Sequence, residues 1–170
     1  MRTTDKYVFF WGKCVFSNWH PSKFMVNGVV YNCSEQYFMA GKARLFGDTV
    51  ALEEILKSDD PAYQKSVGKQ IRGFDQHVWD ANAKGIMYDA CRHKFEQNLD
   101  MLKELTDTGT RILVEASPKD RIWGIGLHWK SELCDDPKNW LGTNWLGQTL
   151  TKVRDDILAD IIKYRNEATA

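Results

Sequence analysis

SEQYFMAGKARLFG, residues 34–47, is the segment on which the fold turns. Ser34 suits a helix N-cap, Glu35 a first turn and Gly47 a C-terminal stop, so the spacing predicts one helix between them. At about 100° per residue, Phe38, Met39, Leu45 and Phe46 define an apolar arc about 120° wide. Glu35 and Lys42 project inside that arc, while Gly41 and Arg44 fall on the far side. A sequence written for stability alone would set its charges beside Arg44, because an unpaired buried charge is costly. One reading makes Glu35 and Lys42 a buried pair, or gives Glu35 a favourable place at the helix dipole. The other makes this face the wall of an aromatic-floored cleft. There a carboxylate orients a sugar hydroxyl or a water, and a lysine of lowered pKa serves as a nucleophile.

Further elements are legible on both sides of this helix. Upstream, FMVNGVVY (Phe24–Tyr31) sets Asn27-Gly28 between two apolar triplets, the signal of a tight hairpin. YVFFW (Tyr7–Trp11) reads as a strand. Downstream, Asp48 caps a helix through Leu56, and Asp60-Pro61 starts another with proline at its favoured first position. A long helix spans Asp75–Gln97, and a short one Met101–Thr106. RILVEAS (111–117) is strand-like, SPKD forms a loop, and RIWGIGL (121–127) is strand-like again. A final helix over Asn144–Tyr164 carries Leu146, Leu150, Val153, Ile157 and Ile161 at helical spacing. The sum is an α+β chain, helix-rich, with one small, mostly antiparallel sheet. With no linker or repeat to divide it, residues 1–170 read as a single domain.

Composition narrows the function. Apolar residues make up 43% of the 170, with seven tryptophans, enough for a sizeable core. Lys+Arg and Asp+Glu both count 23, so bulk charge does not hold nucleic acid, and a polynucleotide substrate needs a local basic patch. The start, MRTTDKYVFFWGKC, lacks the apolar run of a signal peptide, and no stretch reaches membrane-spanning length, so a cytoplasmic protein is expected. Cys14, Cys33, Cys91 and Cys134 form no C-x-x-C pair and are expected as reduced, mostly buried thiols. His20, His77, His93 and His128 are scattered, so neither a metal site nor a cofactor is called for.

Two other segments carry candidate chemistry. In VEASPKDRIWGIGL (114–127), Asp120 lies on a loop between strand-like runs, a place where rigid frames present catalytic groups. Trp123-Gly124 and Gly126 follow, and glycine in a strand permits close approach by a ligand. A hairpin with a polar turn, and Glu115 as a water-facing edge residue, fit the same letters. In FSNWHP (16–21), Ser17 and Asn18 beside Trp19 suit a sugar or base pocket, or a loop under a core tryptophan. Trp79 is a core anchor or a stacking platform.

FSNWHP, SEQYFMAGKA, WDANAKGIMYDACRHKFEQN, LVEASPKDRIWGIG and NWLGQTLTKVR, in this order over nearly the whole chain, resemble the NADAR (NAD and ADP-ribose) superfamily with its YbiA-like N-glycosidases. The resemblance implies an α-rich fold with a small sheet, ribose-phosphate recognition, and hydrolysis of an N-glycosidic bond without metal. The family glutamate and lysine fall on Glu35 and Lys42, its tryptophan on Trp79 and its aspartate before Trp-Gly on Asp120. Gln36 stands where the family usually has histidine. Glu35 and Asp120 are then the two carboxylates, one stabilising the sugar cation and one serving water. Lys42 is a Schiff-base nucleophile or a plain ligand. Ser17, Asn18, Trp19, Tyr37, Trp79, Trp123 and Gly124 are expected to contact substrate. Within the family the substrate is a riboflavin-pathway ribose phosphate in one branch and ADP-ribose on guanine in nucleic acid in another. A non-catalytic ADP-ribose reader would lose the carboxylates that this chain keeps.

Overall fold

In a computed structural model, which describes residues 1–169, the elements run in chain order β1 (Arg2–Thr3), β2 (Tyr7–Phe10), β3 (Phe24–Val26), β4 (Val29–Tyr31), α1 (Ser34–Leu45), α2 (Thr49–Lys57), α3 (Pro61–Gly68), α4 (Gln76–Gln97), α5 (Leu99–Thr106), β5 (Ile112–Glu115) and α6 (Trp145–Ala168). Short 3-10 turns lie at Glu132–Asp135 and Pro137–Asn139. By their contacts the residues group into two units, one of residues 18–98 and one of residues 1–17 with those from 99 onward.

In the 18–98 unit, local chemistry sets each boundary. Asn27 (φ 50°) and Gly28 (φ 79°) both take left-handed backbone, the turn that joins β3 to β4 with Phe24 opposite Tyr31. Asp48, Asp60 and Asp75 cap α2, α3 and α4 by accepting from the backbone N–H of Ala51, Ala62 and Val78. At α1 the cap differs from expectation. Cys33 stands at the N-cap in extended backbone without a side-chain cap bond, and Ser34 is already helical.

Helix α1 packs against α2, α3 and α4, and this surrounds it more fully than one apolar arc implies. Its buried residues are Ser34, Glu35, Gln36, Phe38, Met39, Ala40 and Ala43, while Leu45 and Phe46 are only half-buried. Gly41, expected on the far side, faces α4, where an added Cβ would lie 2.5 Å from Ile86 Cγ2. The end of α4 is tied to the hairpin: Gln97 donates to the Met25 carbonyl (2.9 Å) and accepts from its N–H (2.8 Å).

The other unit holds a three-stranded sheet in the order β1-β2-β5. β1 runs antiparallel to β2, and β2 runs parallel to β5 with Phe10 opposite Glu115. The strands therefore divide between two small sheets rather than one, and the pair β2–β5 is parallel because a long crossover separates its members. Phe9, Val114, Ala116, Ile125 and Cys134 form a buried cluster on one face. Helix α6 packs on β5 and buries Leu146, Leu150, Val153 and Ile157, while Ile161 is half-buried. Asn144, at φ 54°, serves the strand rather than the helix: it accepts from Glu115 N–H (2.9 Å) and donates to the Leu113 carbonyl (3.0 Å). Residues 121–127, expected as a strand, form bends and irregular chain instead. The four cysteines are free thiols, and no described helix is long and apolar enough to cross a membrane.

Candidate active site

Glu35 sits in the first turn of α1, 4% exposed, with its backbone N–H donating to the Asn18 carbonyl (3.0 Å). Gln36 locks that turn in place. Its Oε1 accepts from Asn32 N–H (2.7 Å), and its Nε2 donates to the carbonyls of Ile55 (3.0 Å) and Ser58 (3.1 Å). The amide at this position is thus a clamp between α1 and the end of α2. Tyr37 is half-buried, its ring 4.9 Å from that of Tyr31 and 6.2 Å from His93, and burial raises its phenol pKa. Trp19 is exposed, with Lys65 Nζ 6.0 Å from its ring.

Two turns along α1, Lys42 is half-buried among aromatic faces. Its Nζ donates to the Gly68 carbonyl (2.9 Å) and lies 4.3 Å from the Phe74 ring centre and 5.0 Å from that of Trp79. The rings and the carbonyl favour the ammonium, while burial pulls its pKa below the ordinary lysine value. Close packing delivers that carbonyl: a Cβ on Gly68 would overlap Met39 Sδ. Trp79 in turn rests on Phe38, ring centres 5.0 Å apart. Arg44 reaches back to donate to the Tyr31 hydroxyl (2.8 Å).

In the other unit, Asp120 organises its own loop. Its Oδ1 accepts from the N–H groups of Ile122 (2.9 Å) and Trp123 (2.8 Å), with Gly124 at 3.4 Å. This capture explains why 121–127 makes no strand, since the N–H groups that a ladder needs are taken. A Cβ on Gly124 would lie 3.0 Å from the carbonyl oxygens of Asp120 and Glu115, so close backbone packing already requires a glycine there. Trp123 stands edge-on to Trp145 at 5.6 Å. Ser17 N–H donates to the Cys14 carbonyl (3.1 Å). Glu115 is half-buried with Oε2 shielded from solvent, unlike an edge residue facing water.

Glu35, Tyr37, Lys42 and Trp79, with Asn18 and Trp19, therefore belong to the 18–98 unit, and Ser17, Asp120, Trp123 and Gly124 to the other. Sequence reading missed Phe74 and the fully buried Lys94. A signal for Lys94 was present: Ala83, Met87, Ala90 and Lys94 follow one another at core spacing along α4. Among the described residues, no three His, Cys, Asp or Glu side chains converge as a metal site requires.

Against known proteins, residues 9–158 match the model of the NADAR domain. The chain is 40% identical to protein irg-1 of Caenorhabditis elegans, across 92% of this chain and 81% of that one. It is 39% identical to N-glycosidase R617 of Acanthamoeba polyphaga mimivirus, across 90% of this chain and 97% of the relative. The NMR structure of the Escherichia coli protein YbiA superposes with a TM-score of 0.77 at 26% identity, covering 95% of this chain and 90% of that one.

Proposed function

The chain belongs to the NADAR family and is an N-glycosidase, and from that premise we propose that it hydrolyses the bond between a ribose and a nitrogen base in a ribose-phosphate or ADP-ribose compound. The observation that carries this reading is a buried carboxylate, Glu35, on the same helix as a lysine held among aromatic rings. As the base departs, positive charge builds on C1′ and the ring oxygen, and a secluded carboxylate stabilises it far better than water does. Acid–base help of this kind is worth ~10²–10⁴ in rate.

Lys42 takes the second role. Burial favours its neutral amine, which bonds to C1′ as the base leaves with a proton. The ring C–O bond then opens, a proton passing to the ring oxygen as the imine forms, and water adding to C1′ releases the amine and the ribose. The plain alternative has Lys42 as a cationic ligand for a hydroxyl or phosphate. Asp120 acts through the loop it ties, holding Trp123 for the substrate. Asn18, Trp19, Tyr37 and Trp79 complete the substrate-binding set of the 18–98 unit in this proposal, Ser17 and Gly124 are proposed as substrate contacts of the other unit, and a reducing cytoplasm suits the free thiols.

The test is direct. The protein is incubated with NAD, ADP-ribose, aminopyrimidine ribose phosphates and ADP-ribosylated DNA, and released base is identified by mass. Release from a small ribose phosphate or NAD is expected. Release from DNA alone would move the substrate to modified nucleic acid, and binding without release would make the chain an ADP-ribose reader.

A further inference from the structure

Resting on the glycosidase reading above, we infer that Lys94 on α4 is the buried counter-ion that holds and positions the Glu35 carboxylate. Lys94 is 1% exposed and Glu35 4%, and charges so secluded persist when they are paired. Among the described residues of the 18–98 unit, the other buried charged side chain is Asp48, and it already holds Arg72 at 2.9 Å. Glu35 and Lys94 are the remaining buried charges of that unit and are opposite in sign.

Helix register brings them to the same level. Helices α1 and α4 pack antiparallel: Lys42 meets Trp79, Gly41 meets Ile86, and Tyr37 meets His93. Continuing that series sets Glu35, just before Tyr37, opposite the turn that carries Lys94, directly after His93. The surroundings of the Cys33 thiol are consistent with that register. Burial is the main reason its pKa is pushed up to about 11, with the Glu35 charge adding to the rise and the Lys94 charge opposing it.

Lys94 is a positioning residue, because it acts on the sugar through Glu35. A fixed ammonium keeps that carboxylate ionised and aimed while the sugar cation develops. Other titratable groups on the surrounding elements include His20, Tyr31, Cys33 and Tyr37, Lys42 and Arg44 on α1, and Asp89, Cys91, Arg92, His93 and Glu96 on α4.

Two readouts test the inference on the full chain. In urea unfolding, K94M and E35Q should each lower the midpoint, and K94M/E35Q should unfold no earlier than K94M, because neither charge is then stranded. Strictly additive midpoints, or a double variant that folds worse than K94M, would overturn the pairing. In turnover, K94M should lose at least tenfold in kcat with a smaller change in KM, and the acid limb of its kcat/KM profile should move to higher pH. K94R should recover a substantial part of kcat. A K94M profile parallel to that of the parent, with K94R no better, would overturn the positioning role. Absence of glycosidase turnover in the parent chain would sink the functional reading and leave the urea result to judge the pair.

Discussion

Lys42 is the residue on which chemistry and electrostatics meet most sharply. Burial sets its folded pKa below the unfolded one, so between those values the unfolded chain binds more protons and stability rises with pH. The neutral amine is likewise available at lower pH than on an exposed lysine, whose pKa is about 10.4. Borohydride added during turnover should trap a sugar adduct on Lys42, seen by intact mass, in a yield that climbs with pH and levels off below that value. K42A should lose the adduct and most of the rate; unmodified protein alongside confirmed turnover, with K42R still active, would leave Lys42 a simple ligand. E35Q keeps the shape and removes the charge, so kcat should fall by ~10²-fold or more, while substrate affinity, measured by calorimetry, stays within about tenfold. Glu35 and Lys42 were legible because charges on an apolar helix face break a simple rule. Lys94 was not, because its stripe continues through a residue type that reads as surface until the neighbouring helix is in place.

Elements were legible wherever one side chain decides the backbone. Asn27-Gly28, Asp48, Asp60-Pro61 and Asp75 each do so, and each boundary stands where its chemistry puts it. The segment 121–127 misled because its alternation of large residues and glycine suits a strand, while the Asp120 side chain takes the N–H groups first. D120N should therefore loosen this loop. Faster amide exchange at Ile122 and Trp123, with kcat lowered by the misplaced Trp123, is expected; normal exchange with lost turnover would make Asp120 a direct participant. The seat of α6 on β5 is tighter still. A Cβ on Gly147 would meet the Leu113 carbonyl, backbone that cannot step aside, at 2.1 Å, and at 2.4 Å the Asn144 Oδ1, whose amide is held by β5. G147A should cost about 2–3 kcal/mol in urea unfolding, whereas G85A, on an exposed stretch of α4 with nothing near its Cβ, should add ~0.5–1 kcal/mol. Equal effects of the two substitutions would contradict this packing.

At the scale of the whole molecule, charge balance bears on the proposed class of substrate. Its 23 basic and 23 acidic side chains leave no net field to gather a polyanion, and some of the exposed lysines are paired along their own helices, as Lys57 with Glu53, Lys103 with Asp107 and Lys152 with Asp156. A protein that engages ~6–10 phosphates of a strand loses ~10³–10⁵ in affinity between 50 and 200 mM salt, through release of condensed counterions. A nucleotide-sized compound carries no such atmosphere, and its one or two phosphates are met by fixed local groups. The balance of charge was legible at once from composition. Which groups would meet a phosphate was not, because that depends on side chains that only folding brings together. Raising salt from 50 to 200 mM should therefore change kcat/KM on a small ribose-phosphate substrate by less than about tenfold. The same titration on an ADP-ribosylated oligonucleotide supplies the contrast. A loss of ~10³-fold or more there, together with higher kcat/KM than on the small compound at low salt, would show a polymer held along its backbone and would overturn the nucleotide-sized assignment.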